Sequence, residues 1–150
     1  MQRVFKTVTF EVTANKIRGQ GRPRFAIRGG SPSTYKDEAD KAWEELIRNA
    51  YLAQGGSDMS RFADAVRVTV RVKRKAPKSM AKKRESQPDI CRPDLDNIIK
   101  SVLDALNGVA WRDDCQVVGL RGDKMDRTRR ADESLEVTVE YLSEMGERWI

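Results

Sequence analysis

Apolar and polar residues alternate most clearly over residues 66–73. Val66, Val68, Val70 and Val72 fall on one side, and Arg67, Thr69, Arg71 and Lys73 on the other. That period of two predicts a strand with one buried face. Residues 4–12 predict a second strand, because Val4, Val8, Phe10 and Val12 share one parity. Two more are expected over 116–124 and 135–142. In the last, Leu135, Val137, Val139 and Tyr141 alternate with Glu136, Thr138 and Glu140. The period changes to that of a helix over residues 35–54. There Ala39, Trp43, Leu46, Ile47, Ala50 and Tyr51 line one face, and Gly55-Gly56 supplies the stop. A second helix is expected over 96–107. Ile98, Ile99, Val102, Leu103 and Leu106 form its buried face, and Gly108 ends it.

Between these elements the chain is polar. Residues 13–34 are rich in Gly, Arg, Pro and Ser and read as a loop, with room for a short hairpin around Phe25–Ile27. Residues 74–92 are basic, contain proline and have few apolar side chains, so a mobile surface loop is expected there. The order is β-α-β-α-β-β. It predicts an α+β (mixed α/β) fold: one domain over 1–150, with a mixed sheet and two main helices on one face.

Composition narrows the chemistry. The 150 residues carry 29 Lys and Arg against 23 Asp and Glu, a net charge of +6 that favours a polyanionic partner. There is no histidine. That excludes Ser-His-Asp and Cys-His nucleophilic machinery, and zinc sites built on imidazole. Two cysteines, Cys91 and Cys115, make neither a four-thiolate zinc site nor a secreted disulfide scaffold. Any metal must be held mostly by oxygens, which points to Mg²⁺ or Mn²⁺. No apolar run approaches a membrane span, and Met1–Val12 lacks the apolar centre of a signal peptide. A cytoplasmic protein with reduced thiols and no membrane partner is expected.

The acidic residues that could hold such a metal stand at the two ends of the second predicted helix. Asp94 and Asp96 lie at its start; Asp113 and Asp114 lie just before the next strand. If the chain returns tightly after Gly108, the two pairs can converge. Converging carboxylates repel unless cations neutralise them, and a divalent cation beside a phosphodiester can hydrolyse it without histidine. Plainer readings exist for each residue. An Asp at a helix start is a good cap, Asp-Asp is a good turn, and Asp96, Lys100 and Asp104 could form an exposed i,i+4 ladder.

Together these residues resemble the RusA family of Holliday junction resolvases, the crossover junction endodeoxyribonucleases of bacteria and their phages. The likeness rests on Asp94-Leu-Asp96-Asn97-x-x-Lys100-x-x-x-Asp104-Ala-Leu, followed by Trp111-x-Asp113-Asp114-x-Gln116-Val-Val. It implies a Mg²⁺-dependent homodimer, with Mn²⁺ able to substitute, that makes paired symmetric incisions in four-way DNA junctions. Carried over residue by residue, the essential acids and metal ligands are Asp94, Asp96 and Asp114. Lys100 assists at the phosphate, and Asp113 stands as a further ligand or support. Trp149, Ile150 and the N-terminal strand are candidates for the dimer interface.

Two basic segments flank the acids and are expected to hold the DNA backbone. They contribute Lys73, Arg74, Lys75, Lys78, Lys82, Lys83 and Arg84 on one side, and Arg18, Arg22, Arg24 and Arg28 on the other. Three other functions compete: a nuclease acting on flaps or other branched DNA, a non-catalytic nucleic-acid-binding module, and a protein-interaction domain whose charge aids solubility.

Overall fold

The computed structural model describes residues 2–21, 24–35 and 37–144. Its framework is a four-stranded sheet built from β1 (Arg3–Ala14), β4 (Val66–Lys73), β6 (Val117–Lys124) and β8 (Glu133–Ser143), in the order β1-β8-β4-β6. β8 pairs antiparallel with both β1 and β4, while β4 and β6 run parallel. A parallel pair needs a crossover between its strands. Here α2 (Leu95–Leu106) makes it, and α1 (Glu38–Ala53) lies beside α2. The mixed α+β architecture and the order of the main elements are those the sequence predicts. Two small antiparallel pairs complete it. β2 (Arg24–Arg28) and β3 (Ser31–Tyr35) form the short hairpin, and β5 (Ser86–Gln87) pairs with β7 (Arg127–Thr128).

The period-two pattern of β4 becomes burial directly. Val66, Val68, Val70 and Val72 are buried, and Arg67 and Arg71 are exposed. These valines, Val137 and Val139 of β8, and Phe10 and Val12 of β1 join Ile98, Val102 and Leu106 of α2 and Ile47 and Tyr51 of α1 in one hydrophobic cluster. The indole of Trp43 ties the helices together by donating to Ser101 Oγ at 3.1 Å. Two apolar positions depart from expectation. A register shift between Val4 and Lys6 breaks the alternation of β1, so Val4 is 40% exposed and Phe5 packs on the core instead. Leu46 is 44% exposed, because the buried face of α1 is narrower than its run of apolar residues.

One glycine fixes how closely α2 lies on β6. A Cβ at Gly122 would sit 2.4 Å from Ile99 Cδ1, so any other residue here would push the Ile99 side chain aside. None of the helices among the described residues is long and apolar enough to cross a membrane.

Candidate active site

The start of α2 is held by the N-terminal loop. Gln20 N–H donates to Asn97 O at 3.0 Å, and Gly19 lies against Pro93 and Asn97. Asp94 occupies the cap position in extended backbone, with its C=O accepting from Ile98 N–H at 3.1 Å. Its carboxylate makes no capping hydrogen bond. Local helix chemistry therefore leaves this acid unused, and Asp94 and Asp96 are both exposed. Beside Asp94 opens a cavity of about 310 Å³, lined by Lys16, Gly19, Gln20, Arg92, Pro93 and Asn97. Lys100 is exposed one turn beyond Asp96.

The end of α2 is a tight turn. Gly108, at φ +78°, donates its N–H to Trp111 O at 2.9 Å. Trp111 is fully buried, and its Nε1–H donates to Asp114 Oδ1 at 2.8 Å. Gln116 fastens the segment to the chain before β4. Its Nε2 donates to Phe62 O and Asp64 O, each at 2.8 Å, and its Oε1 accepts from Asp113 N–H at 2.7 Å. Burial pushes the Asp114 carboxyl above the usual carboxylate range. The Trp111 hydrogen bond opposes this, and the charges of Asp104 and Asp113 add to it.

The two acidic pairs do not converge within the chain. α2 has 12 residues. At a rise of about 1.5 Å per residue, it holds the pairs about 18 Å apart along its axis. The turn after Gly108 is tight, but β6 begins at the far end and reaches the start of α2 only at its own end. There Gly122 meets Ile99, and Lys124 Nζ donates to Cys91 O at 2.7 Å. Among the described residues, no group of three or more Asp, Glu or Cys side chains is placed to hold a metal ion. The donors are the hard oxygens that Mg²⁺ or Mn²⁺ prefers. In one chain these acids form two separate pairs rather than one cluster.

The basic residues divide. Arg74 is buried, not presented to a ligand. Its Nη1 pairs with Asp89 Oδ1 at 2.9 Å and its Nε lies 3.7 Å from Glu133 Oε1. Glu133 also accepts from the N–H groups of Ile17 and Lys75. The expected mobile loop is thus fastened at its base. It is tied again by the β5–β7 pair, by buried Met80, and by Arg129 donating to Ala81 O and Arg84 O. Lys73 and Lys75 are half-buried, and Lys75 Nζ donates to Asn15 Oδ1; Lys78, Lys82, Lys83 and Arg84 are exposed. Arg18 pairs with Asp40 at 3.2 Å. Arg24 and Arg28 bound the strand β2, while Arg22, Trp149 and Ile150 lie outside the described residues. Sequence reasoning missed Lys16 and Arg92 as neighbours of Asp94. Proximity along the chain could have found Arg92, but nothing local marks Lys16. Cys91 and Cys115 are exposed free thiols.

The family model described as "Endodeoxyribonuclease RusA" matches residues 15–140. The chain is also similar to "Uncharacterized protein YqaN" of Bacillus subtilis (strain 168). The two are 34% identical over 113 residues, covering 70% of this chain and 78% of that protein. The match takes in α2, both acidic pairs, β4, β6 and most of β8, so the chain belongs to the RusA endodeoxyribonuclease family.

Proposed function

We propose that this protein is a structure-specific endodeoxyribonuclease that resolves four-way DNA junctions by paired symmetric incisions. It acts as a homodimer and depends on Mg²⁺, with Mn²⁺ able to replace it. The reading rests on family membership together with one feature of the site. Asp94 stands at a helix cap without capping, next to exposed Asp96, at the mouth of a cavity flanked by Lys16 and Arg92. Family nucleases depend on divalent metal, and the donors assigned to it are Asp94, Asp96 and Asp114, with Asp113 beside them.

The chain's own groups divide the work of holding DNA. Lys100 is placed on the exposed stripe of α2 to meet a backbone phosphate. Lys16 and Arg92 offer two more cations beside Asp94, within reach of the neighbouring phosphate. Lys78, Lys82, Lys83 and Arg84 are exposed and offer further cations to the DNA backbone. Specificity for branches then comes from the shape of the DNA and the spacing of its phosphates.

The test is cleavage of a labelled synthetic four-way junction in Mg²⁺, beside a flapped and a linear duplex. Paired nicks in the junction, lost in Asp96→Asn while binding persists, are expected. Tight salt-sensitive binding without cleavage in Mg²⁺ or Mn²⁺ would leave a DNA-binding module. Preferential cleavage of the flap would reassign the substrate.

A further inference from the structure

Arg127 carries a buried charge that the fold does not answer. It lies on β7, which pairs with β5, and the backbone of residues 74–76 runs along its other side. Lys75 bridges to Thr128, and Ala76 N–H donates to Thr128 O at 2.6 Å. The Arg127 side chain is 8% exposed, and its Nε–H donates to Lys75 O at 2.7 Å. Among the described residues, its guanidinium forms no ion pair and its two Nη groups make no hydrogen bond. The other buried arginine is the contrast, since Arg74 is met by Asp89 and Glu133. A buried charge is costly unless it is paired.

The residues around Arg127 supply no partner either. Arg127 lines a cavity of about 430 Å³ together with Lys16, Lys75 and Lys78. Glu133 is the one carboxylate on that wall, and its oxygens already accept from the N–H groups of Ile17 and Lys75. Lys75 Nζ donates only to the neutral Asn15 Oδ1. The wall thus has an excess of cations around a guanidinium held through Nε, which leaves the Nη donors for an anion. A fork of N–H donors suits phosphate oxygens, and several cations suit a phosphate better than a lone carboxylate. Lys16 also lines the cavity beside Asp94, so the two cavities share a wall.

We propose that Arg127 is the base of a phosphate subsite, separate from the acids, that grips one phosphate of the DNA strand lying along the Asp94 cavity. Lys16, Lys75 and Lys78 complete its rim. Holding one phosphate in a fixed pocket sets the register of the strand, so Arg127 is a positioning residue for the phosphate presented to Asp94. The subsite rests on the unpaired guanidinium; the choice of DNA as the source of the phosphate rests on the nuclease reading.

The experiment pairs Arg127→Met with synthetic four-way junctions in which single phosphates are replaced, one at a time, by neutral methylphosphonates. Binding is measured without divalent metal, across a salt series. In wild type one replacement is expected to weaken binding strongly. In Arg127→Met that same replacement costs nothing further, and the slope of log affinity against log salt falls by about 0.9. Without DNA, the variant should melt no lower than wild type, because it loses a buried charge that had no partner. A methylphosphonate profile identical in the two proteins would overturn the proposal. So would a variant that melts lower yet binds DNA with the wild-type slope, since Arg127 would then be a structural residue. Arg127→Lys, which keeps the charge and loses the fork, is the second variant. It should restore the salt slope but only part of the dependence on that one phosphate. Inorganic phosphate separates the sources of the ligand. If it raises the melting temperature of wild type but not of Arg127→Met, while the methylphosphonate profiles agree, the pocket takes free phosphate and the DNA subsite falls. If wild type cuts no branched DNA but the single-phosphate dependence is lost in Arg127→Met, the subsite stands and the nuclease reading falls.

Discussion

The indole Nε1–H of Trp111 donates to Asp114 Oδ1 at 2.8 Å, so a fully buried side chain aims the carboxylate at the far end of α2. That bond also restrains the upward push of burial on the Asp114 carboxyl. Trp111→Phe keeps most of the apolar volume and removes the donor. Losing a hydrogen bond to a charged acceptor costs about 1.5–3 kcal/mol. The variant is expected to melt lower, and the acid limb of its pH–rate profile to move to higher pH. An acid limb at the wild-type position would show that the indole does not set this carboxylate.

The raised pKa of Asp114 carries a stability consequence of definite sign. The folded state holds the proton more tightly than the unfolded state. Between the unfolded value of about 3.9 and the higher folded one, stability falls as pH rises. At neutral pH the ionised carboxylate is therefore a burden, increased by Asp104 and Asp113. Asp114→Asn, whose amide oxygen can still accept from Trp111, should be more stable than wild type at pH 7. The difference should shrink as pH falls through the folded value. Denaturant titrations at several pH values in the absence of divalent metal measure it. A variant less stable at pH 7 would mean the site is not strained by its charges.

The strands and helices were legible because their information is local. β4 alternates without interruption, and the Gly108 turn ends α2 where the apolar period stops. The candidate acids stood out as residue types and spacing. What the spacing did not carry was direction: β6 starts beside the end of α2 and runs back along it, so the tight turn does not return Asp114 to Asp94. The base of the 74–92 segment was illegible for a similar reason. Arg74 reads as one more surface cation until Asp89 and Glu133 are seen to close on it from distant parts of the chain.

That closure makes Arg74 a structural residue. Removing one partner of a buried ion pair leaves an uncompensated charge and costs about 3–5 kcal/mol. Arg74→Ala should show that loss in urea unfolding, because the Asp89 side chain is fully enclosed. The double variant Arg74→Met with Asp89→Leu should recover part of it, because buried Glu133 still loses its cation. If Arg74→Ala is as stable as wild type, the pair is not what anchors the segment. Junction affinity of the double variant should keep the wild-type salt dependence, since no phosphate contact is lost.

Lys82 and Lys83 have the opposite character. Both are exposed on the anchored segment and lie away from the acids along the chain. Each phosphate contact they make contributes about 0.9 to the slope of log affinity against log salt. Lys82→Ala with Lys83→Ala should lower that slope for junction binding and leave the melting temperature unchanged. Arg92→Ala removes a cation lining the cavity beside Asp94. It should reduce the rate of cleavage at saturating DNA more than it reduces affinity, because under the proposed function that cation would stand next to the bond that is cut. Binding isotherms across a salt series, with single-turnover cleavage of the same junction, separate the two effects. A slope unchanged by the double lysine variant would remove this segment from the DNA interface. Equal losses in affinity and rate for Arg92→Ala would make Arg92 an ordinary backbone contact.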